Sequence, residues 1–390
     1  MSDVETVRAH PSRDVFIVCN NIEELGGLQR WAHHTAAMLT EAGHTVTLIG
    51  VVHPEQIHDY GRDLPYRTMY LHEEHPPSAW SPRTVRDRLN VGAQRREALR
   101  KASVQQAADR LTGLFRRARP GGIVIVPQVW AMEWVGLSDT AGLRVIGMSH
   151  ESFEASAASS RHRRVKKYFA GVDRLLLLTA EDADAWSRDG LNNTDFMPNP
   201  LPIEPREFTP RSSRVVVSLG RFSFEKGYDL LLEAWALVAP RHPDWTLRLY
   251  GAGPEDARLR AQTWTLGVHD SVEFPGRTSD IEGALADTSV FALSSRAEGF
   301  PISLLEAMAM GVPSVGFDCA PGVREIITDD GNGLLIPRGN TEEFARGLDR
   351  LMSDQSLRDR LGKQGLADVL RFSPEAILER WEQLFVYVYR

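Results

Sequence analysis

The sequence predicts an α/β protein of two consecutive doubly wound units, each a parallel sheet with helices on both faces. Three observations carry this. The chain has 390 residues, too many for one core of ordinary size. Short apolar runs alternate with helical patterns throughout, the grammar of strands buried on both faces and crossover helices. Near the middle, MPNPLPIEPREFTP (197–210) holds five prolines, can continue neither a helix nor a central strand, and reads as a linker.

The elements follow in order. DVFIVCN (14–20) is an apolar run ending at Asn20 and Asn21, followed by the pair Gly26-Gly27 and a helical pattern through LQRWAHHTAAMLTEAG. Gly43 stops that helix, and HTVTLIGVV (44–52) is the next strand. The stretch 53–80 has four histidines, four prolines and no period, and reads as an irregular surface excursion. GGIVIVPQ (121–128), LRVIGMSH (143–150) and DRLLLLT (173–179) are further buried strands. The second half repeats the scheme. RVVVSLGR (214–221) leads into YDLLLEAWALVA, and TLRLYGAG (246–253) ends in a glycine turn. SVEFPGR (271–277), SVFALSS (289–295), a helix from Pro301 to Met310 and PSVGFD (313–318) complete it. A site shared by two such units belongs between them, at the carboxyl ends of the strands.

Composition excludes several classes. Apolar residues are 42% and charged residues 25%, an ordinary globular balance. No apolar run approaches the length needed to span a bilayer. The start lacks a signal-peptide pattern, so a cytoplasmic location is expected, either free or peripheral at the inner membrane face. Cys19 and Cys319 sit in apolar strand-like settings and read as reduced core residues. The net charge of −7 argues against a nucleic-acid binder. Yet residues 81–120 carry 11 basic and 3 acidic side chains, and RHRRVKK (161–167) adds five cations. These patches suit an anionic surface or partner, unless they are simply solvated helix faces.

Two constellations could carry chemistry. In SSRAEGFPISLLEAMAMGVPSV (294–315) a strand gives way to a loop with Glu298, and Pro301 stands where a helix begins. The first-turn amides make an anion site, and a loop carboxylate beside it suits a polyhydroxylated ligand. A capped surface helix with incidental acids is the plainer alternative. In VVVSLGRFSFEKGYDLLLEA (215–234), Arg221 and Lys226 place two cations at a strand's carboxyl edge. Fixed cations in a closed cleft stabilise the charge that grows on a departing diphosphate. Two solvated loop cations would look the same in sequence.

Together, GRFSFEKGYD, GAGPE (251–255), Glu298 and Glu306 within GFPISLLEAMAMGVP, and NGLLIPRGN (332–340) resemble family 4 of the retaining glycosyltransferases. ELGGLQRWAHHTAAMLTEAGHTVTLI (24–49), SHES (149–152) and LTAEDADAW…FMPNP (178–200) are similar to the corresponding segments of that family. The resemblance implies the GT-B fold, with an acceptor-binding domain over 1–200 and a donor-binding domain over 201–372. A last helix, about 373–390, would pack back on the first domain. It implies a UDP-sugar donor, no metal and no other cofactor. Arg221 and Lys226 would bind the diphosphate, Glu298 the transferred sugar and Glu306 the ribose hydroxyls. The amides around Gly299, Phe300 and Ile302 would cradle the distal phosphate, with Gly27 approaching it from the other domain. His150 would meet a donor-sugar hydroxyl or orient the acceptor, and Arg277 would lie beside the base. Proline at 301, where many relatives have glycine, shifts that phosphate contact. The family is read as front-face transfer, the leaving phosphate taking the acceptor proton. Acceptors would be glycans, lipid-linked glycans or small molecules. A nucleotide-sugar 2-epimerase shares the architecture but would need base carboxylates in both domains, and Glu151 or Glu154 could be misread as such. Asp182-Ala-Asp184 matches a metal-binding pair of another fold, but Thr179 followed by acids also reads as a capped helix start. His53, His58, His72 and His75 lack metal-ligand spacing.

Overall fold

A computed structural model describes residues 11–61, 63–80, 82, 84, 89–206 and 212–390. The first ten residues, part of the basic run 81–120 and the end of the linker therefore lie outside the described residues.

The first sheet has seven parallel strands in the order β3-β2-β1-β4-β5-β6-β7. They are β1 (Asp14–Cys19), β2 (Thr45–Gly50), β3 (Arg67–Tyr70), β4 (Ile123–Val126), β5 (Arg144–Met148), β6 (Arg174–Leu177) and β7 (Thr194–Phe196). Val15 faces Val46 on one side and Ile123 on the other, which puts β1 at the centre. A central strand must be apolar on both faces, and Val15, Ile17, Val18 and Cys19 are all buried. The second sheet has six parallel strands in the order β10-β9-β8-β11-β12-β13. These are β8 (Val215–Leu219), β9 (Thr246–Tyr250), β10 (Val272–Gly276), β11 (Val290–Leu293), β12 (Ser314–Asp318) and β13 (Gly333–Pro337).

In each sheet the order reverses beside the first strand, between β1 and β4 and between β8 and β11. Such a switch point opens a crevice at the carboxyl ends of the strands. The loops leaving β1, β8 and β11 are those that carry Gly27, Arg221 with Lys226, and Glu298.

The excursion 53–80 needs correction. It is not wholly irregular, because Arg67–Tyr70 joins the sheet as edge strand β3, paired with Thr47–Gly50. The Tyr70 ring fills the space over Gly50 that any Cβ would occupy, locking the edge in place. The last helix, Pro374–Tyr387, starts at a Ser373 cap and leaves the second domain. The His44 ring meets Glu382 at 2.7 Å, and the Tyr389 hydroxyl donates to the Gly122 carbonyl at 2.6 Å. Its start lies against the linker, where the Leu201 N–H donates to the Phe372 carbonyl at 2.7 Å. Both cysteines are free and buried. Among the described residues no helix is long and apolar enough to cross a membrane.

Candidate active site

The donor-side wall is two loops braced against each other. Gly227 ends the turn Phe224–Lys226 at φ +60, and a Cβ there would lie 2.1 Å from the Ser294 carbonyl oxygen. Only glycine allows both the left-handed backbone and that approach. Arg296 then holds Asp229 in a two-pronged pair at 2.7 and 2.8 Å and donates to the Phe224 carbonyl. Burial works to raise the Asp229 carboxyl, but the Arg296 fork outweighs it and holds the group below its ordinary value. The Ser294 hydroxyl donates to the Lys226 carbonyl.

On this brace Lys226 Nζ donates to Glu298 Oε1 at 2.7 Å, and the Ser295 hydroxyl donates to the same oxygen at 2.6 Å. Arg221 stays exposed on the same loop; its carbonyl accepts from the Ser223 N–H, but its guanidinium has no hydrogen bond or ion pair among the described residues. The helix Ile302–Ala309 starts just beyond, with Pro301 as its cap. Among the described residues, the N–H groups of Gly299, Phe300 and Ile302 meet no hydrogen-bond acceptor, which leaves them for an anion. The Asn199 amide, from the linker, donates to the Phe300 carbonyl at 3.0 Å and fixes this loop. Cys319, beneath it, is pushed up to about 12 by burial and by the Glu298 charge, so it stays an inert thiol.

The first domain supplies the opposite wall. Gly27 opens the helix Gly27–Glu41, with nothing within 4 Å of where a Cβ would point. His150 follows β5, and Gly299 packs so closely that a Cβ would lie 1.9 Å from the His150 carbonyl oxygen. The His150 ring sits edge-on to Trp31 with centroids 4.7 Å apart. Its Nε2 is buried with no hydrogen-bond partner among the described residues, and burial lowers the imidazole to about 3, so it is neutral at physiological pH. Arg30, one turn into the same helix, forms an ion pair with Glu306 across the cleft. Burial raises the Glu306 carboxyl, and the Arg30 charge opposes that shift.

His150, Gly299, Lys226 and Glu298 thus stand in one contiguous cleft, with Glu306 reached through Arg30. Arg277 stands apart: it is exposed beyond β10, two strands from β8. Arg30, Asp229, Ser295 and Arg296 escaped sequence reasoning. GYD and SSRAEG contain three of them, but the pairing of Asp229 with Arg296 joins positions far apart in the chain. Arg30 and Glu306 meet only when the two domains face each other. The acids weighed for other roles have structural partners. Asp182 accepts from the Phe153 N–H and the Thr179 hydroxyl, while Thr179 caps the helix Ala180–Arg188. Glu151 pairs with Arg161, and Glu154 with Arg338. Among the described residues no group of three or more His, Cys, Asp or Glu side chains is placed to hold a metal ion.

Two parallel-sheet domains are also the architecture of a mutant TarM from S. aureus, crystallised with fondaparinux, alpha-GlcNAc-glycerol and UDP. It superposes with a TM-score of 0.77 at 16% identity, covering 96% of this chain and 99% of that one. The fold is GT-B. Within it, residues 203–368, most of the second domain, match the family described as glycosyl transferases group 1. An uncharacterized glycosyltransferase of Haemophilus influenzae is 32% identical over 224 residues, 56% of this chain. That match spans 64% of the H. influenzae protein, less than two thirds of its length. The amylovoran biosynthesis glycosyltransferase AmsD of Erwinia amylovora is 27% identical over 76% of this GT-B chain and 88% of its own.

Proposed function

We propose that the protein is a retaining glycosyltransferase that moves a hexose or N-acetylhexosamine from a UDP-sugar to an acceptor hydroxyl. The observation that carries this is the Lys226–Glu298 pair, set between an amide-lined helix start and a neutral histidine from the other domain. Arg221, Lys226 and the amides of Gly299, Phe300 and Ile302 hold the diphosphate and stabilise its charge as the glycosidic bond breaks. Glu298 accepts from sugar hydroxyls while remaining tied to Lys226. Glu306 takes the ribose hydroxyls when Arg30 moves off it, and Arg277 lies on the side of the base. His150, uncharged, donates to or accepts from a hydroxyl without adding a cation beside the breaking bond. With two cations and a helix start at the phosphates, no metal is required. The leaving phosphate takes the acceptor's proton.

Relatives in amylovoran biosynthesis and the TarM complex with UDP support a role in cell-envelope glycan or polysaccharide synthesis. The compartment that fits is the cytoplasm. An epimerase needs base carboxylates in both domains, and Glu151 and Glu154 are instead held in ion pairs, which disfavours that reading. Calorimetric titration tests the donor. UDP is expected to bind well ahead of GDP and ADP, and a preference for GDP would overturn the base assignment. A new sugar isomer formed from UDP-N-acetylglucosamine alone would replace transfer by epimerisation.

A further inference from the structure

The two basic segments lie far apart in sequence, yet the fold joins them. The helices Val91–Phe115 and Arg161–Phe169 pack on one face of the first sheet. Val104, Leu111, Phe115, Val165 and Phe169 share an apolar cluster with Phe16 and Val18 of β1. A crossover helix runs antiparallel to its strands, so both helix starts lie at the carboxyl edge, where the cleft opens. The turn after β4 bridges them. Arg100 pairs with Glu133 at 2.6 Å, and the Arg164 guanidinium lies 3.5 Å over the Trp130 ring.

The outer surface of this layer mixes cations with apolar side chains. Val91, Arg95 and Leu99 recur at helical spacing, opposite the buried face. Leu89, Val91, Leu99 and Trp130 are 73%, 74%, 58% and 39% exposed. Several cations are already committed, Arg161 to Glu151 and Lys166 to Asp189. Arg95, Arg96, Lys101 and Arg163 have no carboxylate partner among the described residues.

From this we infer that the face docks the first domain on an anionic lipid bilayer. Val91, Leu99 and Trp130 enter the interface, and Arg95, Arg96, Lys101 and Arg163 meet the headgroup phosphates. The apolar side chains decide between ligands. A soluble polyanion would pair with the cations equally well, but would leave Val91 and Leu99 in water. Docking here sets the cleft mouth beside the membrane. The purpose of the docking, presenting a membrane-held acceptor, rests on the transferase reading, whereas the docking itself does not.

The test is co-sedimentation of the full chain with phosphatidylcholine vesicles of rising phosphatidylglycerol content, at low and high salt. Binding is expected to rise with the anionic lipid and fall with salt. A cation at such a surface contributes roughly fivefold. Arg95→Gln/Arg96→Gln/Lys101→Gln is therefore expected to bind roughly 100-fold more weakly. Val91→Ser/Leu99→Ser is expected to lose roughly tenfold through interfacial insertion alone. Absence of binding at low salt overturns the proposal. So does binding that Val91→Ser/Leu99→Ser leaves intact, or capture by soluble polyphosphate that ignores the apolar pair. UDP titration of the same variants keeps the two readings apart. A chain that docks but ignores UDP retains this inference and loses the transferase one.

Discussion

Glu306 has 1% of its surface exposed, and burial raises its carboxyl above the ordinary 4.5 while Arg30 pulls it back. Above that ordinary value the native state keeps a proton that the unfolded chain has lost, so stability declines as pH rises through the window. Arg30→Ala removes the opposing cation, raises the carboxyl further and steepens the decline. Chemical denaturation at acid and neutral pH is the check, and superimposable pH slopes for variant and parent would discard this account. The cost at neutral pH should fall below the 3–5 kcal/mol or so of breaking a fully buried pair, because Arg30 is partly exposed and Glu306, already raised by burial, can take up a proton. At the phosphate side the effect should be kinetic. Arg221→Ala or Lys226→Ala is expected to lose about 2.7–4 kcal/mol of transition-state stabilisation, roughly 100- to 1,000-fold in kcat. Glu298→Gln should do comparable damage. Near-normal turnover in both cation variants would mean that the diphosphate sits elsewhere.

The loops themselves separate glycine's structural use from its use by a ligand. Gly227 adopts φ +60 against the Ser294 carbonyl, and alanine there must both strain the backbone and push the two loops apart. Gly27 faces open space, so alanine fits the free protein. Gly227→Ala should lower the melting temperature and kcat together. Gly27→Ala should leave melting unchanged and weaken UDP binding; full UDP affinity in that variant would remove Gly27 from the phosphate site. The same contrast explains what the sequence made legible. Runs such as DVFIVC and RVVVSL announce themselves because a central parallel strand must be apolar on both sides. Arg67–Tyr70 sits at an edge, four residues long and half solvated, so it has no such run and hid within an irregular stretch. The Arg296–Asp229 brace hid for another reason: a loop arginine and a helix-start aspartate are ordinary singly, and only the backbone path around Gly227 brings them together.

At the scale of the whole chain, three ion pairs among the described residues cross between the domains: Arg30–Glu306, Arg324–Glu181 and Arg338–Glu154. No local pattern marks such partners, because each exists only through the relative placement of the two domains. The latter two lie at the exposed rim and contribute about 0–1 kcal/mol each, whereas the first involves a buried carboxylate. Charge in the cleft is therefore gathered from both domains. Arg221, Lys226 and the start of the helix Ile302–Ala309 come from the second domain, and Arg30 can turn toward the phosphates from the first. On the proposed transferase reading, positive charge gathered in this way would replace what a divalent cation brings to a diphosphate. The two carboxylate oxygens of Asp182 are spent on the Phe153 amide and the Thr179 hydroxyl, which holds one helix start against another. Transfer should accordingly proceed at full rate in excess EDTA. Loss of activity in EDTA with recovery on adding Mn²⁺ would show that the cleft cations are insufficient and would return Asp182 and Asp184 to the reaction. With EDTA neutral, Asp182→Asn should act on stability alone, lowering the melting temperature while kcat holds.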